Sequence, residues 1–161
     1  MPLAVSAYEA VLAVHIVAVV IAFGWIFALP IVFAVAAGQD ARSLPLLHRI
    51  ELLVSRWLVN PALTVVVGAG IFLASDGDRW SEFFVQWGLG AAIVLGGLVG
   101  SVLMPASRRA EAAARTDLEA QGGERFVPGE DYRRATRTLS AAGSAAAVLV
   151  LVTIVFMVVK P

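Results

Sequence analysis

The sequence predicts an all-α integral membrane protein, a bundle of four helices, and three observations carry that expectation. Of 161 residues, 60% are hydrophobic and only 15% are charged, where a soluble domain is about 45–50% apolar and about 25% charged. The mean hydropathy is +0.86. Four stretches free of Asp, Glu, Lys and Arg, at residues 10–37, 57–75, 83–107 and 138–159, each match the roughly 20 residues that a helix needs to cross a bilayer core. Too few charges remain to cover a water-facing surface, which argues against a cytosolic enzyme. The net charge of zero gives no electrostatic footprint for nucleic acid. With no cysteine, disulfides, thiolate metal sites and cysteine nucleophiles are excluded together.

The first stretch is longer than one crossing needs, so tilt or a bend is expected near Pro30, whose ring removes a backbone bond. Glu9 precedes it with no positive charge ahead, so it reads as an uncleaved helix, not a signal peptide. In the second stretch Arg56, Asn60 and Thr64 follow Arg49 at intervals of seven, four and four, which places them on one helical face. That stripe either faces a polar ligand or, at Arg56, snorkels to phosphates. Pro61 leaves the carbonyl of Trp57 without its usual partner. In the third stretch Gly88, Ala92, Gly96 and Gly100 recur every four residues as a ridge of small side chains. Such ridges let helices approach closely in lipid, within the bundle or as a homo-oligomer contact. Ser140 to Ala147 offers similar small residues in the fourth.

Residues 108–137 form the only sizeable polar segment. Glu111, Arg115 and Glu119 are spaced to pair along a helix from Ser107 to Gln121, Gly122-Gly123 ends it, and Pro128-Gly129 turns the chain back. The segment reads as a solvated helical extension of the third span. Ten of the eleven arginines flank or occupy the first and third loops, including Arg125, while Arg79 and Lys160 alone lie on the other side. Cytoplasmic loops collect Lys and Arg, so both termini are expected outside the cell.

An ionisable residue inside the bilayer is costly unless paired, and by default marks a functional site. His15 is the one histidine well inside a span, with Val11, Ala18, Val19 and Ala22 on or beside its face. Small neighbours leave room for something flat, and neutral imidazole is a common ligand for iron; equally, His15 could bond a neighbouring helix. About twenty helical residues, roughly 30 Å, separate it from the arginine-rich end, so His48 cannot share an iron with it in one protomer and reads as an interfacial residue. No phosphate-binding loop, HExxH motif or nucleophile elbow is present. Met1, Met104 and Met157 are too scattered for a copper relay.

The segment LAVHIVAVVIAFGWIFALPIVF, with His15 near its start and Trp25 ten residues on, resembles the first helix of the HemJ family. The segment HRIELLVSRWLVNPALTVVVGAGIFL is similar to that family's second helix, with its arginine-aromatic element followed by proline. HemJ proteins are bacterial membrane-bound protoporphyrinogen oxidases that bind heme b and depend on a helix-one histidine, which His15 matches. Their second key residue, a lysine early in the third helix, has no counterpart, since Val85-Gln86-Trp87 stands there. Over nearly its whole length, including Gly24-Trp25 and the MVVKP terminus, the chain resembles a family of short bacterial integral-membrane proteins. That family is a domain of unknown function related to HemJ and to the copper-resistance protein CopD. The resemblance implies a bacterial inner-membrane protein carrying heme b on His15, with Arg56, Asn60 and Thr64 as candidate walls of the site. The missing lysine leaves open whether any catalysis accompanies it. A non-catalytic scaffold or accessory subunit, assembled through the small-residue ridges, is the alternative.

Overall fold

The computed structural model describes residues 6–39, 41–122 and 126–160. Gly123 and Arg125 of the polar segment, together with Met1 and Pro161, lie outside them. Six α-helices follow in order: α1 (Ala7–Gln39), α2 (Leu44–Val54), α3 (Asn60–Asp76), α4 (Phe83–Leu98), α5 (Met104–Ala120) and α6 (Glu130–Val159). A π-helical turn, Ser55–Val59, joins α2 to α3, and a second, Val99–Leu103, joins α4 to α5. The result is four continuous helical stretches long and apolar enough to cross a membrane: Ala7–Gly38, Leu44–Asp76, Phe83–Ala120 and Glu130–Val159. The protein is an all-α, multi-pass four-helix bundle.

Both π turns have the same local cause. Each stands immediately before an X-Pro pair, Asn60-Pro61 and Met104-Pro105. A proline ring inside an α-helix clashes with the carbonyl four residues back and offers that carbonyl no N–H. Widening the turn relieves this: the amide of Asn60 donates to the Ser55 carbonyl and that of Met104 to Val99, five residues back instead of four. At Pro30, by contrast, α1 stays α-helical throughout. The π-helical turns are confined to the two middle stretches, ahead of Pro61 and Pro105.

A wide turn takes one more residue to come round, so the faces before and after it are out of phase by roughly 100°. The even spacing from Arg49 to Thr64 therefore does not describe one continuous face. Arg49 lies on one side of the Ser55–Val59 turn and Thr64 on the other, with Arg56 inside it.

Packing divides the bundle along its length. In the apolar half, α1 lies along α3 and α4 along α6, with Leu95, Ala146 and Val150 buried between partly buried Phe23, Leu98 and Leu149. In the arginine-rich half, α2, α5 and the start of α6 enclose a second core of Leu44, Ala110, Ala114, Phe126, Tyr132 and Ala135. The α5 helix does extend the third span, but it is solvated on one face only. Its alanines at 106, 110 and 114 are buried, and only its outer face carries charge, as in the Arg115–Glu119 pair at 3.0 Å. The chain after α5 is tied down by side chains. Gln121 both donates to the Val127 carbonyl and accepts from its amide, and Asp117 accepts from the Gly129 amide at the head of α6. Gly122, at φ +69°, supplies the left-handed residue that lets the chain leave α5. At the opposite end Arg79 donates to the Tyr8 hydroxyl at 2.7 Å and lies over its ring, fastening the α3–α4 turn to the head of α1.

Candidate functional site

Polar side chains gather in two places, one in each half. The first is centred on His15. Along α1, His15, Ala18, Ala22 and Trp25 are spaced three, four and three apart, so they share a face. Ala18 and Ala22 are buried. The His15 ring is half-buried and rests on α3: its Cε1 is 3.4 Å, and its Nδ1 3.8 Å, from where a Cβ on Gly70 would stand. A larger residue at 70 would displace the ring. Nδ1 is buried without a hydrogen-bond partner. The Val66 carbonyl, one turn along α3, is the backbone acceptor facing the ring, though outside hydrogen-bond geometry with Nδ1. The indole Nε1 of Trp25 is likewise buried and unpartnered. Two orphaned ring nitrogens on one helix face are unusual, since buried polar atoms are normally satisfied.

A cleft of about 470 Å³ opens between α1, α3 and α4, lined by Phe23, Leu63, Thr64, Val66, Val67, Gly68, Ala92 and Gly96; His15, Ala18, Ala22 and Trp25 are not part of its lining. Its volume falls within the roughly 300–1,000 Å³ of small-molecule sites, and its walls are apolar as such sites are. Of the sequence-derived candidates, Thr64 lines the cleft, with its hydroxyl donating back to the Asn60 carbonyl at 3.1 Å. Asn60 is half-buried. It lies ten residues, about 15 Å, along the helix from Gly70. Arg56 is exposed and stacks on the ring of Trp57, itself 71% exposed, with 5.5 Å to the centroid. It lies about 21 Å from the level of Gly70 on the same helical rise. The structure therefore does not bring Arg56 or Asn60 to His15. Nor does the third helix put a cation where a lysine is missing: Trp87 packs edge-on against Phe156 at 4.8 Å and donates its Nε1–H to Thr153.

The ridge on α4 is put to different uses along its length. A Cβ on Gly88 would meet the terminal methyl of Met157, the far end of a flexible side chain that can swing aside. Ala92 and Gly96 line the cleft, and a Cβ at Gly96 or Gly100 meets nothing within 4 Å.

The second gathering is centred on His48. Whatever its depth in the membrane, its side chain is enclosed by protein, 1% exposed. It stacks on Phe33 of α1 at 4.5 Å between centroids, faces the edge of Tyr132, and has both nitrogens engaged. Nδ1 lies 3.2 Å from Glu51 Oε2, and Nε2 lies 3.3 Å from the Tyr132 hydroxyl of α6. The other carboxylate oxygen, Glu51 Oε1, accepts from Ser107 of α5 at 2.7 Å. Glu51 and Ser107 are buried as well. Leu44, His48 and Glu51, at intervals of four and three, form the buried face of α2. Tyr132 precedes the charge-free run of the fourth span, and burial, with the Glu51 charge second, pushes its phenol up to about 12. Depth separates His48 from His15 but says nothing of its burial within the protein. The signal available was its place on one face with Leu44 and Glu51, opposite a polar segment able to supply a serine and a tyrosine.

Among the described residues no group of three or more His, Cys, Asp or Glu side chains is placed to hold a metal ion. Comparison with protein-family models, curated proteins and solved structures finds no match to this chain.

Proposed function

We propose that this chain is a membrane protein that binds a flat, apolar macrocycle of the tetrapyrrole class, heme b first among them, with His15 as axial ligand. The observation that carries this reading is the His15 ring itself. A buried, unpartnered nitrogen inside a membrane span costs free energy that ordinary packing would avoid. Nδ1 is enclosed beside Gly70 without a hydrogen-bond partner, so the other ring nitrogen, Nε2, is the one left for a ligand. An apolar cleft in the same half, lined by Val66, Ala92 and Gly96 though not by His15 itself, supports a flat apolar ligand. Arg56 and Asn60 do not, being more than two helical turns away. A heme so held would supply one-electron chemistry, with the protein setting orientation and burial. The excess of arginines at one end supports an orientation with that end in the cytoplasm and both termini outside, in a bacterial inner membrane.

The test is the absorbance of detergent-purified protein, oxidised and reduced, supplied with heme and compared with His15→Ala. A Soret band with reduced α and β bands, lost in the variant, is the expected result. A featureless spectrum from folded, heme-supplied protein would overturn the proposal.

A second reading, a scaffold or accessory subunit assembled through α4, is favoured by the open space above Gly96 and Gly100. Small residues unused within the bundle offer close approach to another helix. On this reading Gly96→Leu abolishes assembly in a crosslinking assay while His15→Ala leaves it intact, and persistence of the oligomer in Gly96→Leu counts against it.

A further inference from the structure

The side of α2 turned away from the second core is not polar. Ile50, Leu53 and, in the wide turn that follows, Trp57 recur at intervals of three and four, and all three are exposed. Arg49 stands one position before Ile50 and Arg56 one before Trp57, so both arginines run along the same flank of this apolar stripe. Both are exposed. The Arg56 guanidinium lies over the Trp57 ring at 5.5 Å, a contact that favours a cation most where water is scarce. Neither arginine has a carboxylate partner among the described residues. Glu51 is the only acidic residue between positions 41 and 75, and it is buried, its two oxygens engaged by His48 and Ser107. The outer face of α2 thus joins apolar surface to two uncompensated positive charges.

Depth selects what can cover such a face. The helix from Trp57 to Asp76, where charge returns, rises about 29 Å, close to the roughly 30 Å of a hydrocarbon core. Trp57 then stands at the edge of the core, the level at which tryptophan anchors helices. Leu53 and Ile50 lie about 6 and 10 Å further out, among the headgroups. Arg56 can extend outward from the edge and Arg49 back towards it, since long stems let guanidiniums reach the phosphate level. Both charges then meet near Leu53. Beyond Trp57 the exposed apolar surface continues through Leu58 and Val65, so a lipid chain can pass from the bilayer onto the stripe without a break. We infer that the outer face of α2 is a binding site for an anionic phospholipid of the leaflet at the arginine-rich end, its phosphate held by Arg49 and Arg56 and its glycerol and upper chain lying on Leu53 and Trp57. The site does not depend on any ligand at His15.

Trp57 itself reports on the site. In the full-length chain with Trp25, Trp80 and Trp87 replaced by phenylalanine, it is the one tryptophan left. Its fluorescence would be compared in phosphatidylcholine vesicles holding the same small fraction of either brominated phosphatidylglycerol or brominated phosphatidylcholine. Each arginine beside an anionic headgroup should enrich that lipid about fivefold, so brominated phosphatidylglycerol is expected to quench several times more strongly. With Arg49→Gln and Arg56→Gln together the two lipids should quench alike. Arg108→Gln with Arg109→Gln, exposed arginines on α5, should leave the preference in place. Equal quenching in the parent, a preference that survives in the Arg49 and Arg56 double variant, or one lost equally in the α5 variant would overturn the inference. Absence of quenching by either lipid would overturn it too, since protein and not lipid would then cover the stripe. Should the tryptophan replacements fail to fold, native mass spectrometry of the unaltered chain decides. Retention of phosphatidylglycerol over phosphatidylcholine, lost in the Arg49 and Arg56 double variant, is the expected result, and equal retention overturns the site.

Discussion

The His48 imidazole and the Tyr132 phenol, on α2 and α6, meet at 3.3 Å inside a shell that leaves His48 1% exposed. This is the one direct polar link between those helices among the hydrogen bonds of the described residues, and it spans the second core from side to side. Removing the hydroxyl while keeping the ring isolates its contribution. Tyr132→Phe is expected to cost about 1 kcal/mol, the usual net worth of one buried hydrogen bond, seen as a lower midpoint of thermal unfolding in detergent.

Glu51→Ala should cost more than that. It strands two buried donors, His48 Nδ1–H and the Ser107 hydroxyl, at about 1–3 kcal/mol each. Ser107→Ala removes a donor and leaves one carboxylate oxygen bare, an intermediate case. The order Glu51→Ala, Ser107→Ala, Tyr132→Phe in decreasing destabilisation, measured by denaturant titration, is the expected outcome. Equal effects in all three would show that the cluster does not act as a chain.

Alkali gives a separate signature. The Tyr132 phenol holds its proton up to about 12, against 10.0 when exposed to water. Between those values the folded protein binds the proton and the unfolded chain does not, so the associated stability is complete below pH 10 and is lost as pH rises towards about 12. Unfolding midpoints should therefore fall more steeply over that window in the parent than in Tyr132→Phe, which has no proton to lose. Parallel slopes would refute the assignment.

Gly70 and His15 are coupled by contact. An alanine at 70 would place its Cβ 3.4 Å from the His15 ring, close enough to shift it by a few tenths of an ångström, whereas a leucine would displace it. Gly70→Ala is expected to retain heme with a shifted Soret maximum, and Gly70→Leu to lose it while the helical circular dichroism stays unchanged. Full heme occupancy in Gly70→Leu would remove His15 from the site.

Gly88 and Gly96 should separate along the same helix. Gly88→Leu must displace the Met157 side chain and should lower bundle stability by up to about 1–3 kcal/mol, as overpacking does. Gly96→Leu fills open space and should leave the unfolding midpoint within about 0.5 kcal/mol of the parent, the scale of an unopposed surface change.

The four crossings were legible because lipid imposes a crude demand, a run of apolar residues of fixed length, that composition alone reveals. His15 drew attention for the complementary reason, an ionisable side chain standing out against such a run, and the structure adds its buried, unpartnered Nδ1. The His48 cluster was not. Its members come from three helices, and only the His48–Glu51 pair is local; the rest depends on how α5 and α6 close over α2, which no spacing in the sequence records. The stripe from Arg49 to Thr64 failed for a more specific reason. Counting by 3.6 assumes an unbroken α-helix, and Pro61 imposes a wide turn in the middle of the count. Prolines 61 and 105 were the visible hint, each a few residues beyond the point where the phase is lost.

Those two wide turns set the rotation of the arginine-rich half against that of the apolar half. Deleting one residue from Ser55–Val59, with Pro61 replaced by alanine, would restore ordinary pitch and swing α2 by roughly 100° about its axis. His48 and Glu51 would then face outward, although beyond Pro61 no side chain of the transmembrane half had changed. The two middle helices are thus indexed like a shaft and its coupling: lipid dictates the angle of one part, the second core that of the other. A single surplus residue in each turn reconciles them.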